Sequence, residues 1–286
     1  MTNATINWFP GHMVAARREA TKALASVDVV IEVLDARCPA ASANPMITEM
    51  RATRQRPALK VLNKSDVADA QTTAEWIAYF SAQPDTRAMA ISTKNLSDVA
   101  KVVSTAQGLA PHRASFDKPL RLMTMGVPNV GKSTLINALL KRRSAAVGDE
   151  PAVTKAVRRY QLSDTVWLTD TPGLMWPKVE DRNAATWLAA CHTIGSNAYY
   201  EDDVALALAE YLLRHYAALC SQRYGVAVDG LDEVQFIEAI AAKRGWNVGK
   251  ANAGFERAAK ALLVDFRTGA MGRISLERPA PVSVAP

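Results

Sequence analysis

Residues 27–34 (VDVVIEVL) form a short apolar run rich in β-branched side chains, and residues 58–62, 87–91 and 120–126 repeat that texture. Each run ends in a polar or glycine-containing loop, and segments of helical length separate them. Strands buried on both faces read as continuous apolar runs of this kind, in contrast to the alternating pattern of half-exposed ones. The pattern therefore predicts parallel strands joined by helices. Residues 158–162 and 165–169 predict two further strands, adjacent and joined by a turn at Ser163 and Asp164. Residues 1–180 are expected to form an α/β unit with a mostly parallel sheet.

The period changes after Pro177. Val204, Leu208, Tyr211, Leu212, Tyr216 and Leu219 recur at helical spacing across residues 202–224. Residues 232–243 and 250–266 do the same. Asp229 or Asp232 is placed to cap the first of these helices, and Gly269 follows the second. Residues 181–277 are thus expected to be a small all-α domain of about four helices. Residues 278–286 hold three of the 14 prolines and predict a disordered tail.

Composition narrows the class. With 49% hydrophobic and 22% charged residues, the chain is ordinary for a soluble globular protein. Its three cysteines, Cys38, Cys191 and Cys220, are widely spaced, which excludes a disulfide framework and zinc-finger spacing and predicts a reducing, cytoplasmic setting. No apolar run is long enough to span a bilayer, so no membrane partner is expected. The net charge of +6 is unevenly distributed. Residues 181–286 carry 11 basic and 12 acidic residues, which leaves 23 and 16 in residues 1–180. The excess lies in clusters: Arg17, Arg18 and Lys22; Arg51, Arg54 and Arg56; Lys141, Arg142 and Arg143; Lys155, Arg158 and Arg159. One such cluster is an ordinary solvated surface; four in one domain favour an RNA partner, with no sign of DNA.

Three loops carry chemistry. Gly126 to Ser133 (GVPNVGKS) fits the phosphate loop Gly-x-x-x-x-Gly-Lys-Ser/Thr, after a predicted strand and before a predicted helix at 133–141. Its glycines let backbone N–H groups turn inward around phosphates, so that Asn129, Val130, Gly131 and Thr134 border the nucleotide. Lys132 would reach the outer phosphates and Ser133 would hold Mg²⁺. Asp170-Thr171-Pro172-Gly173 follows a predicted strand. There Asp170 can orient Mg²⁺ and the Gly173 N–H can sense a γ-phosphate. Asn63-Lys64-Ser65-Asp66 follows the strand 58–62. A carboxylate such as Asp66 accepts both N–H groups of a guanine edge and is mismatched to adenine, which points to GTP and GDP. Ser92 and Thr93, after the next strand, complete the base pocket.

Alone, an Asp-x-x-Gly is a common turn and Asn-Lys-Ser-Asp a common helix cap. Together with the phosphate loop they read as a nucleotide site. Thr154 lies in the polar stretch between the phosphate loop and Asp170, where a threonine can bind Mg²⁺ while the γ-phosphate is present. His12 stands in a Pro-Gly-His turn, a setting more often structural than catalytic. His112, His192 and His215 have no metal-ligand spacing.

The guanine loop precedes the phosphate loop, the reverse of the usual order. With this rotation the chain resembles the circularly permuted GTPases, and more narrowly the ribosome biogenesis GTPase A (YlqF/RbgA) family. Trp8-Phe9-Pro10-Gly11-His12-Met13, Leu34-Asp35-Ala36-Arg37 with Asn44-Pro45, and Asp265-Phe266-Arg267-Thr268-Gly269 followed by Gly272 to Glu277 carry the resemblance. It implies a permuted GTPase domain followed by a helical RNA-binding domain, and a GTPase acting on the large ribosomal subunit and its rRNA, slow alone and stimulated by the particle. Leu174 stands where Ras-like enzymes carry a glutamine, and the family implies His12 as the group that acts on water instead. Asn129 matches an asparagine that helps bind K⁺ in similar GTPases. The chain departs from the family at Ala152, where a glycine is expected before Thr154, and at Thr93, where alanine is usual.

Two other readings stay open at this stage. One is a GTP-gated RNA-binding module whose hydrolysis is incidental. The other is a permuted GTPase of small-subunit maturation, against which the scattered cysteines argue because its members carry a zinc-binding domain. The residues carry no signal for an oligomeric state.

Overall fold

The computed structural model describes residues 12–141, 157–175, 179, 181–195, 199–246 and 253–280, with side chains described from residue 17 onward. Six strands make one sheet: β1 (Val29–Asp35), β2 (Ala58–Asn63), β3 (Thr86–Ala90), β4 (Leu120–Met125), β5 (Arg158–Ser163) and β6 (Val166–Asp170). Their spatial order is β3-β2-β1-β4-β6-β5. All neighbours are parallel except β5, which pairs antiparallel with β6. β1 and β2 are buried along their whole length, as the unbroken apolar runs require. The charges inside those runs, Glu32 and Lys60, face each other in register and close a 2.6 Å ion pair. A cross-strand pair of this kind cancels the cost of burying either charge alone.

Ten helices surround the sheet among the described residues: α1 (His12–Leu24), α2 (Pro39–Ser42), α3 (Pro45–Thr53), α4 (Ala70–Ser81), α5 (Leu96–Gln107), α6 (Lys132–Leu140), α7 (Arg182–Ala190), α8 (Glu201–Tyr224), α9 (Glu233–Lys243) and α10 (Ala253–Thr268). Side-chain caps set several starts. Asn44, Asp69, Asn95 and Asp181 each accept from a backbone N–H of the first turn. Asp232 and Gln235 form a reciprocal capping box on α9, so Asp232 and not Asp229 is the cap. α3 connects the carboxyl end of β1 to the amino end of β2. α1 runs beside it in the same direction, with Arg17 3.8 Å from Glu49, the Thr21 hydroxyl on the Met50 sulfur and Arg56 on the Ala25 carbonyl. α1 therefore starts on the side of the sheet where the strands end.

Helices α7 to α10 form the expected all-α region. The sequence period predicts one helix across 202–224, but α8 is kinked at Tyr216 (φ −138°, ψ 32°). The Tyr216 hydroxyl donates to the Ser275 carbonyl and accepts from the Ser275 N–H, so the chain's return segment holds the kink. The helical region shares one apolar cluster with the sheet, in which Ile31 and Leu122 belong with Leu188, Leu208 and Phe266. The segment after α10 comes back to the α/β unit. Ile274 donates to the Val67 carbonyl, Leu276 to the Arg37 carbonyl, and the Glu277 carboxylate accepts from Ala40 and Ala41. The three cysteines are free and buried, and Cys38 and Cys191 place their sulfurs 3.4 Å apart across this interface. Asp35 lies with them but is bonded to two cationic side chains, which disfavours a metal ion there. No helix among the described residues is long and apolar enough to cross a membrane.

Candidate nucleotide site

In an open parallel sheet, ligands bind beyond the carboxyl ends of strands, where the winding reverses. Here the chain winds from β1 outward through β2 to β3, then crosses to β4 on the other flank of β1. The switch point lies between β1 and β4. Every loop singled out in the sequence leaves the sheet at that end: Asn63 closes β2, Ser92 follows β3, the phosphate loop follows β4, and Asp170 closes β6.

The guanine and phosphate loops touch. The Asn63 side-chain amide donates to the Val130 carbonyl at 2.8 Å. Gly131 takes φ +97°, and a Cβ there would collide with the Asn63 amide nitrogen, so only glycine fits between the two loops. Gly126 is equally constrained, since a Cβ would lie 2.5 Å from the Val33 carbonyl. The loop is thus pressed against β1 and β2, and α6 starts directly from it, which puts the positive end of the helix dipole at the loop.

At the base end, Lys64 adopts φ +63° and its ammonium lies 2.8 Å from Asp35. The Ser65 N–H donates to the Ile91 carbonyl, which ties the guanine loop to the end of β3. Asp66 is partly exposed and holds Lys94 at 2.7 Å. Burial opposes its charge, but hydrogen bonds from Lys94 and Ser92 win and hold its carboxyl below the usual range. It is therefore an ionised, partly exposed acceptor at the end of the loop, held by the exposed Lys94. Ser92 is buried and Thr93 half-buried beside it.

At the phosphate end, Lys132 is buried and its ammonium donates to the Val127 carbonyl at 2.7 Å. Burial depresses its pKa to about 8, against the opposing pull of Asp170. Asp170 is 1% exposed, and neither carboxylate oxygen closes a hydrogen bond of good geometry, although the Thr171 N–H and the Thr124 hydroxyl lie near enough to favour its charge weakly. Burial lifts its pKa to about 6, with Lys132 the main opposing influence. A buried carboxylate without a well-formed hydrogen bond costs stability unless a ligand completes it. Asp170 and Ser133 would suit a divalent cation, since they offer two hard oxygen groups beside a phosphate cradle. Ser133 and Thr134 open α6, half-buried and exposed respectively. The Asn129 amide donates to the His192 carbonyl at 2.8 Å, linking the phosphate loop to the helical region.

The Asp170 loop is buried through Met175. Gly173 packs against Pro128, where a Cβ would sit 3.0 Å from the ring. Leu174 is fully buried with Met123, Met125, Ala20 and Leu24, its N–H on the Gly126 carbonyl and its carbonyl accepting from Asn44. Thr154 and Ala152 lie outside the described residues. So does the side chain of His12, whose backbone opens α1.

Sequence reading attached no chemistry to Asp35 or Arg37. Arg37 is buried, and its guanidinium grips Asp35 through Nε at 2.9 Å and Nη2 at 2.8 Å. The signal was available: two charges at the end of a strand buried along its whole length must find partners.

A family model described as a 50S ribosome-binding GTPase matches residues 121–215. The match begins at the strand that leads into the phosphate loop and leaves the guanine loop outside it, as the rotated order requires. Ribosome biogenesis GTPase A of Bacillus cereus is 36% identical over 96% of this chain and 94% of its own length. That of Priestia megaterium is also 36% identical, over 96% and 98%. Mitochondrial ribosome-associated GTPase 1 of mouse is 31% identical over 95% and 90%. The solved structure of GNP-bound YlqF from Thermotoga maritima shares the fold, with a TM-score of 0.65 over 94% of this chain and all of that one, at 24% identity. Loops that converge beyond the carboxyl ends of the strands, in rotated order, and relatives matched along nearly their whole length lead to one conclusion: this chain is a GTPase and belongs to the ribosome biogenesis GTPase A family.

Proposed function

We propose that this GTPase assists assembly of the large ribosomal subunit in the cytoplasm, turning over GTP slowly alone and faster on the pre-ribosomal particle. The names of its relatives support a ribosomal partner. The observation that carries the demand for stimulation is the burial of Leu174. That side chain is committed to an apolar cluster, and no leucine can orient a water molecule. Another group must do so. His12 is the candidate, because α1 packs on the same cluster through Ala20 and Leu24 and starts on the nucleotide side of the sheet.

In this reading Asn63, Lys64 and Asp66, with Ser92 and Thr93, read the base. Asn129, Val130, Gly131, Lys132, Ser133 and Thr134 wrap the phosphates, and the Gly173 N–H contacts the γ-phosphate. Ser133, Thr154 and Asp170 would hold Mg²⁺, which when bound neutralises charge on the outer phosphates. Asn129 would also face a K⁺ ion. Lys132 moves from the Val127 carbonyl to the phosphates and stabilises the charge that develops during transfer. Contact with rRNA falls to the basic clusters of the first domain and to α9 and α10. There Arg244 and Arg257 flank the Trp246 ring at 5.2 and 4.5 Å beside Lys243. A ring and guanidinium planes together suit stacking on unpaired bases.

GTP turnover in potassium buffer, alone and with purified large or small subunits, tests the reading. Acceleration by the large subunit alone is the expected result. His12→Ala should then keep GTP affinity and lose the acceleration. Tight GTP-dependent subunit binding with no acceleration would favour the gated-binder reading instead.

A further inference from the structure

The guanine loop and the helical region are joined by one buried charge network. Both oxygens of Asp35 are engaged: Oδ2 accepts from Lys64 and from Arg37 Nη2, each at 2.8 Å, and Oδ1 from Arg37 Nε and the Arg37 N–H. Arg37 does not stop at Asp35. Its Nη1 points to the Phe266 and Arg267 carbonyls at 3.5 and 3.3 Å, and its guanidinium lies 4.9 Å over the Phe266 ring. Those carbonyls belong to the last turn of α10, where the helix dipole is negative, and the Phe266 carbonyl also accepts from the Gly269 N–H at 3.2 Å. The hydrogen bonds from Arg37 Nη1 are long, so the ring and the dipole carry much of the attraction. The backbone repeats the link: the Ala36 N–H donates to the Asn63 carbonyl at 2.8 Å, while the Arg37 carbonyl accepts from Leu276 at 2.7 Å.

Residues 35–37 thus touch the guanine loop on one side and the end of the helical region on the other. Arg37 cannot shift toward α10 without loosening its grip on Asp35, and Asp35 is what fixes the Lys64 ammonium. We propose that Asp35 and Arg37 are positioning residues that couple guanine binding to the docking of α10 and the return segment against the α/β unit. Guanine nucleotide holds Lys64, Lys64 holds Asp35, and Asp35 holds the guanidinium that caps α10. Coupling is reciprocal, so docking of α10 raises nucleotide affinity by the same factor by which nucleotide tightens docking, and slower nucleotide release is the expected sign of it. Lysine cannot replace Arg37, since it lacks the planar fork that engages Asp35 and the helix end together. The inference rests on the assignment of 63–66 as the guanine loop and adds a partner for it inside the chain.

Amide hydrogen exchange of the full-length protein across residues 262–271, with and without GDP, tests it directly. GDP should slow exchange there by about fivefold or more in the wild type, and Arg37→Lys should abolish the difference. Arg37→Lys should also raise the dissociation rate of a fluorescent GDP by about tenfold. Glu277→Gln, which weakens a different contact between the same two parts, should change that rate by less than about twofold. Equal effects of the two substitutions would mean general loosening and would overturn the assignment. So would GDP binding that leaves exchange at 262–271 unchanged, a wild-type result that decides the matter even if Arg37→Lys does not fold. Failure of the wild type to bind GDP at all would remove the guanine site itself, and this coupling with it.

Discussion

At the guanine end of the site Asp35 is satisfied by Lys64 and Arg37, and Asp66 is held by Lys94. At the phosphate end Lys132 has a neutral carbonyl for its partner and Asp170 closes no hydrogen bond of good geometry. Both ends contain buried charge, yet the surroundings push pKa values in opposite directions. The cations beside Asp35 hold its carboxyl well below the usual range even though it is wholly buried. Burial instead lifts Asp170 to about 6 and lowers Lys132 to about 8. One end is complete without ligand and supports the fold. The other stores an electrostatic deficit that a cation and phosphates would repair, contributing to binding what it costs in stability.

Substitutions that neutralise one carboxylate at each end should separate these roles. Asp35→Asn leaves the buried Arg37 and the half-buried Lys64 without their counter-charge, and should lower the unfolding free energy by about 3–5 kcal/mol. Urea unfolding measures this directly, and an unchanged midpoint would mean the guanine end is less electrostatically committed than its geometry implies. Lys132→Ala should leave unfolding nearly unaffected while lowering kcat by roughly 10²–10³-fold, the usual scale for removing one preorganised donor to developing charge. Asp170→Asn should do the opposite of Asp35→Asn in nucleotide-free protein. By removing a charge that burial disfavours, it raises stability on the order of 1–2 kcal/mol, while magnesium-dependent turnover is lost. A fall in melting temperature for this variant would erase the contrast between the two ends.

The smallest expected effect is on pH. In the nucleotide-free protein Asp170 keeps its proton up to about pH 6, whereas an unfolded aspartate releases it near 3.8. Its contribution to stability therefore falls as pH rises from about 4 to about 6. Metal must displace that proton, so magnesium–nucleotide affinity should climb with pH up to about 6 and then level. Lys132 begins to lose its proton near pH 8, and phosphates require it charged, so affinity should decline again above about 8. Titration calorimetry in buffers of different ionisation enthalpy would show proton release on the acid side and uptake on the alkaline side. A flat profile from pH 5 to 9 would place both groups at ordinary values.

Much of this was legible before any coordinates. Apolar runs too short for helices became β1 to β4 within two residues of their expected ends, because a strand buried on both faces admits few polar side chains. The phosphate loop was readable because glycine is required wherever backbone must approach backbone, as at Gly126 and Gly131. The kink at Tyr216 was not readable, since the apolar period continues through it and its cause is Ser275, 59 residues later. Asp35 and Arg37 were seen only as part of a resemblance; their neighbours in sequence do not reveal that Lys64 and Phe266 are their partners.

What the residues determine by themselves is local: which segments become strands, where helices are capped, which loops can cradle phosphate and which can read guanine. These follow from side-chain periodicity and from conformations open to few residue types. What only the tertiary structure decided is how the charges are shared. Asp35 and Asp170 both end strands of the same sheet, and although Arg37 stands near Asp35 in sequence, nothing there shows that it turns back onto Asp35 or that Lys64 joins it. One meets two cations brought from 29 and 2 residues away and the other closes no hydrogen bond of good geometry, because partnership in a buried network is set by which loops the sheet order brings together.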